Sequence, residues 1–166
     1  MDKHDRSRLG NLSLKNPWHF LALGFGSGLC PKAPGTCGSL CAIPLCILLI
    51  YMPFWASVAV IILTFILGVI ASNKAEKALG FHDCSSIVID EFAGMFISVL
   101  FFPKVWYLAF LAFVLFRVFD ILKPFPISYL DKRIGGGLGI MVDDIAAGFF
   151  ACISAHILFL LWPQFF

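Results

Sequence analysis

Five apolar stretches, residues 39–51, 54–71, 92–102, 105–119 and 145–162, dominate this chain, and Pro53 and the pair Pro103-Lys104 divide them. Charged residues make up only 13% of the sequence and hydrophobic ones 60%, whereas an ordinary soluble domain carries about 25% charge. A chain with so little polar surface takes a bilayer as its solvent. Two of the stretches reach 18 residues, and a full helical crossing takes about 20. The shorter ones read as arms that dip into the membrane without completing a span.

Topology then follows from the flanks. Basic residues collect before residue 17, in 73–77 and in 123–133, and the positive-inside tendency assigns all three regions to the cytoplasm. An even number of crossings must separate them. Residues 39–71 therefore read as a hairpin turning near Pro53, and residues 92–119 as a second hairpin turning near Pro103. Tyr51, Trp55, Trp106, Tyr107 and Trp162 fall at the far ends of this arrangement, and Trp18 and Tyr129 at the near ends, as expected of rings that settle at membrane interfaces. Lys104 is the one charge that disagrees. The predicted fold is an all-α polytopic membrane bundle of two helical hairpins plus a C-terminal helix, with some arms short or re-entrant. Residues 1–16 read as a retained polar cytoplasmic tail, since no cleavable apolar core adjoins them, and residues 17–166 as a single membrane-embedded domain.

Composition excludes some functions. A net charge of +2 with scattered basic residues lacks the stripe of a nucleic-acid binder. The six cysteines include no C-x-x-C pair, so they read as small apolar filler, with zinc improbable and disulfides unnecessary. No Ser-His-acid arrangement has usable spacing.

The acids carry more information. Asp90, Glu91, Asp120, Asp143 and Asp144 stand beside membrane-grade apolar runs, where each carboxylate costs about 2.5 to 3.5 kcal/mol at a helix centre and is rarely idle. If they converge they repel, and a hard cation such as Mg²⁺ is the remedy. Asp90 and Glu91 open one apolar helix, so one can cap it while the other turns inward. Asp143 and Asp144 open the last one in the same way, with Gly148 offering close approach to a neighbour. Arg117, Asp120 and Lys123 recur every three residues and share a helix face, with Pro124 and Pro126 breaking the helix behind them. The stripe resembles a phosphate clamp beside a metal ligand, against the plainer reading of a snorkelling helix end. Residues 131–133 read as a polar loop.

Gly24-Phe25-Gly26-Ser27-Gly28 leads into Pro31-Lys32-Ala33-Pro34-Gly35-Thr36. Glycines let backbone amides approach an anion, Lys32 adds charge, and Thr36 or Ser39 can cap the following helix, whose amino end favours phosphate. A tight turn with a cap explains the segment equally well. The glycines of 135–139 suit either a fold-back loop or a plain connector. His82 and Asp83 read as solvated loop, and His156 as packing. Paired acids, a basic clamp and glycine-rich turns at a membrane face together fit metal-assisted chemistry on a phosphorylated lipid.

Four blocks in order carry a family resemblance: Pro31-Lys-Ala-Pro-Gly-Thr-Cys-Gly-Ser39, Ile89-Asp-Glu-Phe-Ala-Gly94, Phe116-Arg-Val-Phe-Asp-Ile-Leu-Lys-Pro-Phe-Pro126 and Gly136-Gly-Leu-Gly-Ile-Met-Val-Asp-Asp-Ile-Ala-Ala-Gly148. With them the chain resembles the phosphatidylglycerophosphatase A family of bacterial inner-membrane lipid phosphatases. The resemblance implies Mg²⁺-dependent hydrolysis of phosphatidylglycerophosphate to phosphatidylglycerol and inorganic phosphate, in a multi-pass protein whose active site faces the cytoplasm and which needs no obligate protein partner. It makes Glu91, Asp120, Asp143 and Asp144 the metal-ligand candidates, with Asp90 close behind. Lys32, Thr36, Ser39, Arg117 and Lys123 become the phosphate-holding candidates, and Asp90, Glu91, Asp120, Lys123, Asp143 and Asp144 the catalytic set. Attack by water is favoured over an aspartyl-phosphate, and both stay open.

Two rivals compete. A CDP-alcohol phosphotransferase would open its motif with Asp-Gly, and no Asp here precedes Gly. A carboxylate-based cation or proton transporter would set acids inside the spans, whereas most of these sit at span ends.

Overall fold

The computed structural model describes residues 12–80 and 84–161, apart from the side chains of Asp131 and Lys132. The tail before residue 12, His82, Asp83 and Trp162 lie outside the described residues. Among the described residues all regular structure is helical: α1 (Pro17–Ala22), α2 (Pro34–Tyr51), α3 (Phe54–Leu79), α4 (Ile89–Ser98), α5 (Leu108–Leu122), α6 (Ile127–Arg133) and α7 (Gly136–Leu161), with a 3-10 segment over Gly24–Leu29. Three of these, α2, α3 and α7, are long and apolar enough to cross a membrane.

Helices α2 and α3 form the first hairpin. Pro53 cannot donate a backbone hydrogen bond, so the helix stops and restarts there. The turn is tied by the Ser57 hydroxyl, which donates to the Leu49 carbonyl at 3.1 Å. Both helices run further than the apolar stretches suggest, because α2 takes in Pro34–Gly38 and α3 continues through the basic residues to Leu79.

The second hairpin has a short first arm. Ten-residue α4 rises about 15 Å, half a hydrocarbon core. Irregular backbone over residues 99–107 completes the passage to α5. Val99 and Phe102 of this stretch are buried, whereas Phe101, Pro103, Lys104, Trp106 and Tyr107 are exposed, as suits a turn at a membrane interface. Helix α4 is the core of the bundle, and α7 is its principal neighbour.

Small residues set that contact. A Cβ on Gly94 or on Gly148 would collide with the backbone of the opposite helix, so α4 and α7 approach more closely than any larger pair permits. Gly68 plays the same part between α3 and Met141 of α7.

Ring contacts fix the polarity of the bundle. Phe54 stacks on Phe101 with centroids 4.9 Å apart, and Phe102 meets Phe159 at 5.2 Å. Both hairpin turns and the end of α7 therefore share one end, where Tyr51, Trp55, Trp106 and Tyr107 are exposed. The starts of α2, α4 and α7 and the ends of α3 and α5 gather at the other.

Four local readings are corrected. Residues 136–139 are not a loop but the first turn of α7, so Asp143 and Asp144 lie two turns inside that helix rather than capping it. Residue Ala33 in the left-handed region is the N-cap of α2, so Thr36 and Ser39 stand inside the helix; Val88 precedes α4 with no side-chain cap, so neither Asp90 nor Glu91 is spent there. Residues 131–133 end helix α6 instead of forming a loop. Cys30 and Cys37, taken as filler, bring their sulfurs together, Cys30 from the segment before α2 and Cys37 from its first turn. His156 does pack, with its ring against Phe102 and Phe159.

Candidate active site

The glycine contact between α4 and α7 also places acids. Asp90 precedes Gly94 by four residues, and Asp144 precedes Gly148 by four. Residues four apart share a helix face, so the surfaces that touch at the glycines present Asp90 and Asp144 to the same space one turn earlier. Both line a cavity of about 470 Å³ at this end of the bundle. Glu91 and Asp143 join them from the same helices, Asp120 and Lys123 from α5, and Pro34 and Gly35 from α2.

Arg117 holds two of the acids together. Its Nη1 lies 2.7 Å from both carboxylate oxygens of Glu91 and 2.6 Å from Oδ2 of Asp120. The Ser39 hydroxyl donates to Glu91 Oε2 at 2.5 Å. A Cβ on Gly35 would strike the Glu91 carboxylate, so the bare backbone there is what lets Glu91 lie flat against α2. Glu91 thus has a fixed orientation with one face toward the cavity. Its carboxyl lies outside the three crossing helices, and burial and Asp120 push it up to about 7 against the pull of Arg117 and Ser39. Burial and the neighbouring charge of Glu91 also raise the carboxyl of Asp90. Both shifts report burial first and the crowding of negative charge second.

Lys123 is the cation that reaches the cavity wall. It caps α5 in the left-handed region at φ 40°, ahead of Pro124, which cannot continue the helix. Its Nζ sits 2.6 Å from Asp143 Oδ2. The repeat of Arg117, Asp120 and Lys123 therefore turns inward as a charged stripe and does not snorkel away.

The structure brings Asp90, Glu91, Asp120, Lys123, Asp143 and Asp144 into one lining. It leaves four expected phosphate-holding residues outside that lining. Ser39 and Arg117 stand behind Glu91, Thr36 is half-buried in α2, and Lys32 is exposed on the loop. One acid went unnoticed in the sequence. Glu76 of α3 is 6% exposed and lines the same cavity. The signal was its spacing from Gly68 and Ser72, four residues at a time along the buried face, but Lys74 and Lys77 gave it the look of a solvated helix end.

The donor set can be weighed against Mg²⁺. Among the described residues no three His, Cys, Asp or Glu side chains converge closely enough, as they lie, to hold a metal ion. Yet the lining offers carboxylate oxygens, the donors hard cations prefer. Buried Asp90 Oδ1 and Asp144 Oδ2 have no hydrogen-bond partner, and buried polar atoms are rarely left so. The residues fit a hard divalent cation.

Comparison with known proteins identifies the family of the chain. The family model described as phosphatidylglycerophosphatase A matches residues 20–159. The chain is 43% identical to the phosphatidylglycerophosphatase A of Escherichia coli (strain K12), over 98% of this chain and 95% of the relative. It is 45% identical to the protein of that name from Haemophilus influenzae, over 90% and 93%. A Bacteroides thetaiotaomicron protein, provisionally named a phosphatidylinositol-3-phosphatase, is 39% identical over 80% and 87%. No solved structure matches.

Proposed function

The chain belongs to the phosphatidylglycerophosphatase A family and is a membrane-embedded phosphoric monoester hydrolase; from that premise we propose that it hydrolyses phosphatidylglycerophosphate to phosphatidylglycerol and orthophosphate with the help of Mg²⁺. The observation that carries the reading is the meeting of acids from α4, α5 and α7 around one cavity, with Lys123 on its wall.

Glu91, Asp120, Asp143 and Asp144 would hold the cation. When bound, Mg²⁺ supplies charge that offsets the phosphoryl oxygens and lowers the cost of bringing a dianion among carboxylates. The remaining work falls to the chain. Lys123 faces the phosphate as a point charge and steadies the negative charge that spreads in a loose transition state. Asp90, outside the ligand set and with an oxygen that no hydrogen bond engages, takes the proton of the attacking water. Water oxygen bonds to phosphorus, the bond from phosphorus to the glycerol oxygen breaks, that oxygen takes a proton from solvent water in the open cavity, Asp90 returns its proton to solvent, and orthophosphate departs. Arg117 and Ser39 keep Glu91 in place without touching substrate.

A transporter reading fits less well, because the acids occupy one end of the bundle while its middle, around Phe92, Met95 and Phe116, is apolar and closed. We place the site-bearing end on the cytoplasmic side of a bacterial inner membrane, on the strength of the basic residues there. The test is purified protein in detergent given phosphatidylglycerophosphate: release of orthophosphate that chelator abolishes and Mg²⁺ restores is expected, and release indifferent to chelator would overturn the cation's part.

A further inference from the structure

A lipid substrate reaches such a cavity from within the membrane plane, so one side of the mouth must receive its glycerol and acyl chains. Between the end of α5 and the start of α7 the chain exposes a run of large apolar side chains: Ile121 at 67%, Leu122 at 71%, Phe125 at 80% and Tyr129 at 48%. This patch flanks the site along the chain. Lys123, on the cavity wall, sits between Leu122 and Phe125, and Ile134 and Gly135, which follow α6, line the same cavity. Helix α6 is pinned from beneath by Ile127, which is fully buried, so Phe125 and Tyr129 are held outward as a fixed surface, with ring centroids 6.5 Å apart.

Its level in the membrane follows from its neighbours. The patch leaves an apolar helix on one side and enters a crossing helix on the other. Arg133 rests over the Tyr129 ring at 4.9 Å, the cation and aromatic pairing expected at the headgroup layer. An apolar shelf at headgroup depth, with one cation at its edge and another on the adjoining cavity wall, is complementary to an anionic glycerolipid lying sideways.

The geometry points to the shelf of Leu122, Phe125 and Tyr129 as the docking surface for the glycerol and upper acyl chains of the lipid substrate, positioning its phosphate at Lys123. This inference rests on the phosphatase reading. Its test compares two substrates: long-chain phosphatidylglycerophosphate in mixed micelles, and glycerol phosphate esters without acyl chains. Phe125→Ser is expected to lose at least tenfold more kcat/KM on the long-chain lipid than on the soluble ester, chiefly through KM, and Phe125→Leu to restore most of it. Equal losses on both substrates, or none on the lipid, would overturn the shelf. A parent protein that releases phosphate from neither would instead overturn the phosphatase reading beneath it.

Discussion

Arg117 serves two acids with one nitrogen, and the consequences of removing it differ from those of trimming it. Arg117→Ala strips Glu91 and Asp120 of the guanidinium they share, and uncovering buried charge in this way costs about 3 kcal/mol or more in the metal-free protein. The variant is expected to melt earlier in detergent and to lose activity, whereas Arg117→Lys, which keeps charge within reach, is expected to recover most of the melting point. Equal melting points for Ala and the parent would show that the ion pairs carry no weight. Ser39→Ala is a gentler probe. It strips one hydrogen bond from Glu91, and loss of a partner behind a metal ligand weakens metal affinity about 10- to 100-fold; a raised Mg²⁺ requirement with maximal rate largely kept is the expected outcome, read from the Mg²⁺ dependence of phosphate release. The acids of this site were legible because a carboxylate beside apolar sequence needs a reason. Glu76 escaped because neighbouring lysines supplied a false one.

At the level of elements, the crossing of α4 and α7 is the device that assembles the site. Gly148→Ala would force a methyl group into the backbone at Gly94. Overpacking of this kind costs about 1–3 kcal/mol, and here it also pushes Asp144 away from Asp90. Activity is therefore expected to fall at least 100-fold while far-UV circular dichroism stays helical. Gly135→Ala, where nothing lies near an added Cβ, is expected to be mild by comparison, and equal losses in the two variants would count against the crossing. Both hairpins could be read from Pro53, Pro103 and the interfacial aromatics, since those residues act locally. Where helices begin could not. Residues 136–139 look like a connector by composition, yet they form helix because Gly137 fits against Val69 and Asn73 of α3, with the Asn73 side chain accepting from the Gly137 amide at 3.0 Å. That is a tertiary contact with no local signature, and it moved Asp143 and Asp144 from the end of a helix to two turns inside it.

Across the whole molecule, the acids and their cavity share one end, and Tyr51, Trp55, Trp106 and Tyr107 mark the other. Single cysteines placed at Lys104 and at Lys77, in a background without the native six, are expected to report this polarity: a membrane-impermeant maleimide added to intact cells labels position 104 and spares position 77. The reverse pattern would turn the bundle over. The central claim is that acids from separate helices bind one divalent cation that the phosphate needs. Calorimetric titration of Mg²⁺ into the detergent-solubilised protein tests it most directly, run beside phosphate release on the parent and on Asp144→Asn. Saturable binding in the parent, weakened at least tenfold in Asp144→Asn together with the loss of phosphate release, is the expected result; a variant that binds Mg²⁺ as tightly as the parent and still hydrolyses the lipid would contradict the account.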